Sequence, residues 1–163
     1  MQDLKIVIDT REKEISHIEA AFKKQGVNYE FRKLDVGDYA IEDENKLYDV
    51  RIERKASLDE IICNLLDRKS IDKESNNRFK RELIKAREKG YKTIILIENL
   101  NWYEDILRKN YRSNINPNSL RGMLLSLEHR YNITILGIDK KFSGSIIYNE
   151  LYYFRYNELK NEK

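Results

Sequence analysis

Val36-Gly37-Asp38, followed by Ile52-Glu53-Arg54-Lys55, brings together residue types that can hydrolyse a phosphodiester. Residues two apart on a strand share a face, so Glu53 and Lys55 point one way and Arg54 the other. Asp38 follows a glycine that permits a turn, and a hairpin would bring its strand beside Glu53. Two carboxylates a few ångströms apart repel when both are ionised, and a shared proton or a divalent cation relieves the repulsion. Mg²⁺ suits such a pair, because it takes oxygen ligands and is commonly held by one or two carboxylates plus phosphate and water. Lys55 would then lie where it can help deprotonate water or neutralise charge growing on a phosphate. The plain alternative is a solvated strand with salt bridges among Arg51, Glu53, Arg54 and Lys55. In a chain with 36% charged residues, a Glu-x-Lys triplet alone favours that alternative. The neighbours shift the balance: Asp9-Thr10-Arg11-Glu12 ends an apolar run, and Asp59 follows Lys55 closely.

The elements that must position these groups follow from periodicity. Residues 4–9 are apolar and β-branched, a strand ending on a carboxylate. Residues 13–24 repeat apolar positions at helical spacing, and Gly26 stops them. Residues 28–33 alternate as a half-exposed strand, residues 39–41 begin another, 42–46 form a polar hairpin loop, and 47–54 return. These two consecutive hairpin-like strands predict a mixed sheet with an antiparallel part. Ser57 caps a helix carrying Leu58, Ile61, Ile62, Leu65 and Leu66, with Cys63 expected in its core side. Residues 67–76 are polar, 77–89 are helical, and 93–98 form an apolar strand covered on both faces. Asn116-Pro117-Asn118 breaks the chain, 119–130 are helical, 133–138 form a last strand and 143–157 a final helix. The sum is an α/β chain with a central mixed sheet flanked by helices on both faces.

The 163 residues suit one domain, read here as residues 1–157 with a frayed tail at 158–163. A net charge of +3, spread along the chain, excludes a polybasic or acidic tail as its main business. The single Cys63 excludes an internal disulfide and a cysteine-rich zinc site, and suits a reducing compartment. His17 and His129 are far apart and read as surface residues, so hydrolytic chemistry must come from carboxylates and lysines. No apolar stretch is long enough to span a membrane, and the first residues do not read as a signal peptide. A cytoplasmic location, in a bacterium or a phage-infected host, is the expectation.

Taken together, Gly37-Asp38, Glu53-Arg54-Lys55 with Asp59, and Asp9-Thr10-Arg11-Glu12 closely resemble the nuclease domain of the XPF-type structure-specific endonucleases. That family carries a glycine-aspartate, a variable gap, then Glu-Arg-Lys and an Asp, after a strand ending in Asp-x-Arg-Glu. It also has a basic helix and then an apolar strand ending in Glu, as in residues 78–98 here. The resemblance implies a restriction-endonuclease-like fold and Mg²⁺- or Mn²⁺-dependent hydrolysis of DNA phosphodiesters. It implies Asp38, Glu53, the main-chain carbonyl of Arg54 and, through water or a second ion, Asp9 as metal ligands. Lys55 becomes the catalytic lysine. Arg11 and Arg54 hold phosphate or orient carboxylates, and Asp59 fixes Arg54 or Lys55. The gap between Asp38 and Glu53 is longer than the family pattern, so the hairpin is expected to be extended. Branched, flapped or single-strand-containing DNA, in repair or recombination, is the implied substrate class. No small-molecule cofactor is implied. A DNA-binding subunit that positions a partner nuclease is the alternative, and the shared chemistry leaves RNA open.

Two further features bear on partners. Residues 76–92 hold seven lysines and arginines against two glutamates, and Arg78, Lys80, Arg81 and Lys85 are the candidate contacts to the nucleic-acid backbone. Tyr148, Tyr152, Tyr153, Phe154 and Tyr156 crowd the final helix. Exposed aromatics at that density suggest an interface, and the family resemblance implies a homodimer through the late helices.

Overall fold

The computed structural model describes residues 4–67 and 77–161. β1 (Lys5–Ile8) leads through α1 (Ser16–Gln25) to β2 (Tyr29–Phe31), which pairs parallel with β1. β3 (Tyr39–Asp43) runs antiparallel to β1 and turns directly into β4 (Lys46–Leu47). The two turn residues, Glu44 and Asn45, have φ of 48° and 65°, the left-handed backbone that a two-residue hairpin turn requires. After leaving the ladder at residues 48–49, the chain forms β5 (Val50–Lys55), antiparallel to β3 and parallel to β6 (Lys92–Ile97). β7 (Ile133–Gly137) pairs parallel with β6. Among the described residues the sheet has seven strands in the order β2-β1-β3-β5-β6-β7, with β4 attached to β3.

Helices cover both faces. α1 and α6 (Ser143–Asn161) pack on one, where Ile6, Ile18, Phe22, Ile52, Leu96, Ile147 and Leu151 share a core. α2 (Leu58–Leu66), α3 (Arg78–Glu88), α4 (Trp102–Leu107) and α5 (Pro117–Tyr131) cover the other, around Ile61, Leu83, Ile95, Ile97, Leu120 and Leu124. β6 sends alternate residues into each cluster and is buried throughout after Lys92, as its unbroken apolar run requires. Ser57 caps α2 by accepting from the Glu60 amide at 3.2 Å, while Glu60 accepts from the Ala56 amide at 2.7 Å. At the far edge of the sheet, a methyl group at Gly137 would sit 2.1 Å from Trp102 Cδ1, so glycine there admits the indole against the strand.

The α/β class and the mixed sheet agree with the sequence pattern, and several details differ from it. β2 pairs parallel with β1 at the sheet edge, the two joined through α1. The long gap before Glu53 holds no extended loop, because residues 43–47 fold into a tight hairpin that adds the short strand β4. α4 has no counterpart in the periodicity: its six residues bury only Ile106. α6 continues to Asn161, past the expected end at 157. Cys63 is exposed, because the buried stripe of α2 runs through Leu58, Ile61, Ile62 and Leu65, and position 63 falls on the opposite face. Beyond Asp67, the polar segment expected between α2 and α3 lies outside the described residues. No helix among the described residues is long and apolar enough to cross a membrane.

The loop entering β3 is tied to α3 and β6 by one carboxylate. Asp35 accepts from Lys89 Nζ and from Tyr91 Oη at 3.0 Å, and its carbonyl accepts from Lys85 Nζ at 3.1 Å. Burial alone would raise its carboxyl, but these donors win and hold it at about 2, against an ordinary 3.8. A depressed carboxylate contributes stability above its unfolded value and loses it as pH falls through the folded one. Asp35→Asn is therefore expected to cost roughly 1 kcal/mol near neutral pH. Thermal denaturation at stepped pH should show the gap between the variant and the parent closing between about pH 4 and pH 2.

Candidate active site

The catalytic residue types converge where β1, β5 and β6 end and β3 begins. Gly37 has φ of 77°, and a Cβ there would press to 3.0 Å from Arg51 Cβ, so both backbone and space call for glycine. The next residue is clamped on both sides. The Asp38 amide donates to the Ile52 carbonyl at 2.8 Å, and the Asp38 carbonyl accepts from the Asp9 amide at 2.8 Å. The register that pairs Tyr39 with Ile52 sets Asp38 beside Glu53. Asp38 Oδ2 accepts from the Arg54 amide at 2.8 Å, so the side chain of one strand occupies the ladder position of the next. Lys55 Nζ donates to Glu53 Oε1 at 2.8 Å and lies 4.9 Å over the Phe79 ring.

Burial, then the charges of Glu53 and Glu12, push the Asp38 carboxyl well above the ordinary carboxylate range. A cleft of about 730 Å³ opens over the pair. Among the described residues, Arg11, Lys13, Lys55 and Arg78 line it, and so do Asp38, Glu53, Glu60, Asp67 and Glu82, so cations and carboxylates are mixed there. Positive charge added near Asp38 and Glu53 would favour a phosphodiester in this cleft. Two adjacent carboxylates with a main-chain carbonyl between Glu53 and Lys55 form an all-oxygen donor set of the kind that suits Mg²⁺ or Mn²⁺. Among the described residues, no group of three or more His, Cys, Asp or Glu side chains is placed to hold a metal.

Asp9 accounts for part of that. Its Oδ1 accepts from the Arg11 amide at 2.9 Å and Arg11 Nε at 2.7 Å; its Oδ2 accepts from the Leu34 amide at 2.7 Å and Arg11 Nη2 at 3.2 Å. Burial works against the charge, but these donors outweigh it and lower the carboxyl. With both oxygens twice engaged, Asp9 holds Arg11 in place. Arg11, so fixed, lines the cleft as expected of a phosphate-holding cation.

Arg54 does not reach the cleft. Its side chain crosses to the α1 and α6 side, where Nε donates to Glu12 Oε1 at 2.6 Å, Nη1 to Glu98 Oε2 at 3.1 Å and Nη2 to the Lys13 carbonyl at 2.9 Å. Burial opposes its charge, yet Glu12 and Glu98 raise its pKa further. Of its two expected roles, holding phosphate is overturned and orienting carboxylates remains. Asp59 makes no hydrogen bond or ion pair to Arg54 or Lys55; in the first turn of α2 it faces outward and accepts from the Arg112 amide at 2.9 Å.

The basic helix splits in the same way. Arg78 lines the cleft, whereas Lys80 lines a separate groove against α5, Lys85 is committed to Asp35, and Arg81 lies exposed on α3. Helical twist spreads a run of cations around the axis, so the four do not share one surface. Glu12, Glu98, Phe79 and Glu82 also enter the site or its surroundings. Glu12 belongs to the Asp-x-Arg-Glu run and Glu98 ends the β6 run, and those two signals were present. His17 is no surface histidine: its Nε2 lies 2.6 Å from Glu98 Oε1.

Comparison with solved structures gives the same fold. XPF from Aeropyrum pernix superposes with a TM-score of 0.64 at 19% identity, over 91% of this chain and 60% of that one. XPF from Aeropyrum pernix in complex with DNA superposes with a TM-score of 0.64 at 21% identity, over 94% of this chain and 66% of that one. The chain thus spans less than two thirds of either. No curated protein sequence matches it. The sequence pattern of the ERCC4 domain matches residues 8–149, a span that holds every residue lining the cleft, and the chain belongs to the ERCC4 domain family.

Proposed function

We propose that this chain is a Mg²⁺- or Mn²⁺-dependent endonuclease that hydrolyses DNA phosphodiesters. The observation that carries the reading is Asp38 beside Glu53, with Lys55 at 2.8 Å from Glu53, in a cleft where burial and the neighbouring Glu53 charge already disfavour an ionised Asp38. A divalent cation held by Asp38, Glu53 and the Arg54 carbonyl would polarise a phosphate and acidify an attacking water. Lys55 supplies a fixed positive charge to the oxygens on which negative charge grows. Arg11, oriented by Asp9, holds a neighbouring phosphate, and Arg78 adds a cation from α3. The mixed charge of the cleft makes phosphate binding conditional on the cation. DNA as the partner is supported by the family and by the XPF structure solved with DNA. Branched or flapped DNA is the proposed substrate, as the likeness to the XPF-type structure-specific endonucleases implies.

The test is incubation of the purified protein with flapped, three-way, duplex and single-stranded DNA and with RNA, in Mg²⁺, Mn²⁺ or chelator. Cleavage of junction-bearing DNA, abolished by chelator, is the expected result. Loss of all cleavage with DNA binding intact would instead leave a DNA-binding subunit.

Asp38→Asn separates chemistry from folding. The amide can still accept from the Arg54 N–H, so the fold is kept while a charge is lost. Cleavage is expected to fall by roughly 10³-fold or more. The metal-free variant should melt higher than the parent, by about 2–4 °C for each kcal/mol of repulsion relieved.

We also propose a homodimer through α6. Tyr153 is 58% and Tyr156 39% exposed, and their rings meet edge-on at 6.2 Å, beside the stacked pair Tyr152 and Tyr156. Sedimentation equilibrium should give a dimer for the parent and a monomer for Tyr153→Ser with Tyr156→Ser.

A further inference from the structure

Behind the strand that carries Glu53 and Lys55 lies a charged network that is almost out of water. Glu98 is its centre, with a side chain only 1% exposed. Its Oε1 accepts from Ser143 Oγ at 2.7 Å and faces His17 Nε2 at 2.6 Å, and its Oε2 accepts from Arg54 Nη1 at 3.1 Å. Its main chain joins in, since the Glu98 amide donates to the Lys55 carbonyl at 2.9 Å. One residue thus links α1, α6 and the end of β5.

We propose that Glu98, held in place by His17 and Ser143, is a positioning residue for the ligand-bearing segment Glu53-Arg54-Lys55. The inference rests on the metal-dependent reading of the Asp38 and Glu53 site and extends it. The segment needs outside support. β3 pairs with β5 only through Tyr39 and Ile52, so beyond Ile52 one side of β5 has no strand ladder. The Arg54 amide is satisfied there by the Asp38 side chain instead. Where Arg54 sits therefore fixes both the oxygen of Asp38 and the direction of Glu53. All three guanidinium nitrogens are committed, to Glu12, Glu98 and the Lys13 carbonyl, which leaves the residue one orientation. Burying such charges is costly, and apolar side chains of similar volume commonly hold a fold as well or better. What the charges add is direction. Groups behind a metal site that orient its ligands tune metal affinity in the same manner.

His17 reaches Glu98 from α1, and glutamine at that position can offer an amide donor from nearly the same place. The test measures Mn²⁺ binding to the DNA-free full chain by titration calorimetry, alongside cleavage kinetics and melting temperature. Glu98→Gln and His17→Ala are expected to weaken Mn²⁺ binding about tenfold, the size of effect seen when such outer groups are removed. They should lower kcat with little change in KM for DNA. His17→Gln should restore most of the Mn²⁺ affinity. If Glu98→Gln does not fold, the two His17 variants carry the test, because that side chain is 22% exposed at the margin of the network. Variants that melt lower yet bind Mn²⁺ as the parent does would overturn the positioning role while leaving the nuclease reading intact. A parent chain that neither binds Mn²⁺ nor cuts DNA would remove the reading on which the role stands.

Discussion

Repulsion between Asp38 and Glu53 is the constraint around which the rest of the molecule is arranged. Two neighbouring carboxylates at the end of a sheet are unfavourable unless something positive comes between them, and burial of Asp38 sharpens the conflict. The fold enforces the conflict rather than avoiding it. Gly37 gives the backbone a left-handed turn, the Ile52 carbonyl and the Asp9 amide clamp Asp38 on both sides, and the antiparallel register does the rest. No side-chain rotation escapes easily, since Asp38 Oδ2 is held by the Arg54 amide. Strain of this kind persists only where surrounding packing over-determines it, and such places are commonly functional.

The two faces of β5 divide the labour. Glu53 and Lys55 face the cleft, and Arg54 faces the opposite core, where Glu12 and Glu98 neutralise it out of water. Alternation along a strand makes that division automatic for any three consecutive residues. The Glu-Arg-Lys triplet is therefore one structural device: two residues that face the cleft, and between them an anchor whose main chain touches the site while its side chain does not.

Those parts of the molecule governed by local rules were legible in the sequence. The β6 run at 93–98, the Gly26 stop, the Ser57 cap and the pairing of Asp38 with Glu53 through a glycine all follow from short-range chemistry. What escaped depends on contacts across the chain. The Asp-x-Arg-Glu run identifies Asp9 as important, but only the fold reveals that Leu34 and Arg11 saturate it. Asp59 lies close in sequence to Lys55, yet helix α2 turns it toward Arg112. His17 reads as a polar-face residue because its partner is 81 positions away. The short α4 could not announce itself, since six residues give too little periodicity.

The charge balance of the cleft settles how these parts work as a unit. A phosphate-binding protein without metal would be expected to line its groove with an excess of lysine and arginine, whereas the described lining here mixes four cations with five carboxylates. Arg11, Lys13, Lys55 and Arg78 share that space with Glu60, Asp67 and Glu82 as well as with Asp38 and Glu53. A dication between Asp38 and Glu53 would add two positive charges where the repulsion is greatest. The same event would relieve the folding conflict at Asp38 and make the cleft attractive to a nucleic-acid backbone. Stability and substrate binding are then coupled through one ion, and the elements that hold Asp38, Glu53 and Arg54 rigid are those that make the coupling strong.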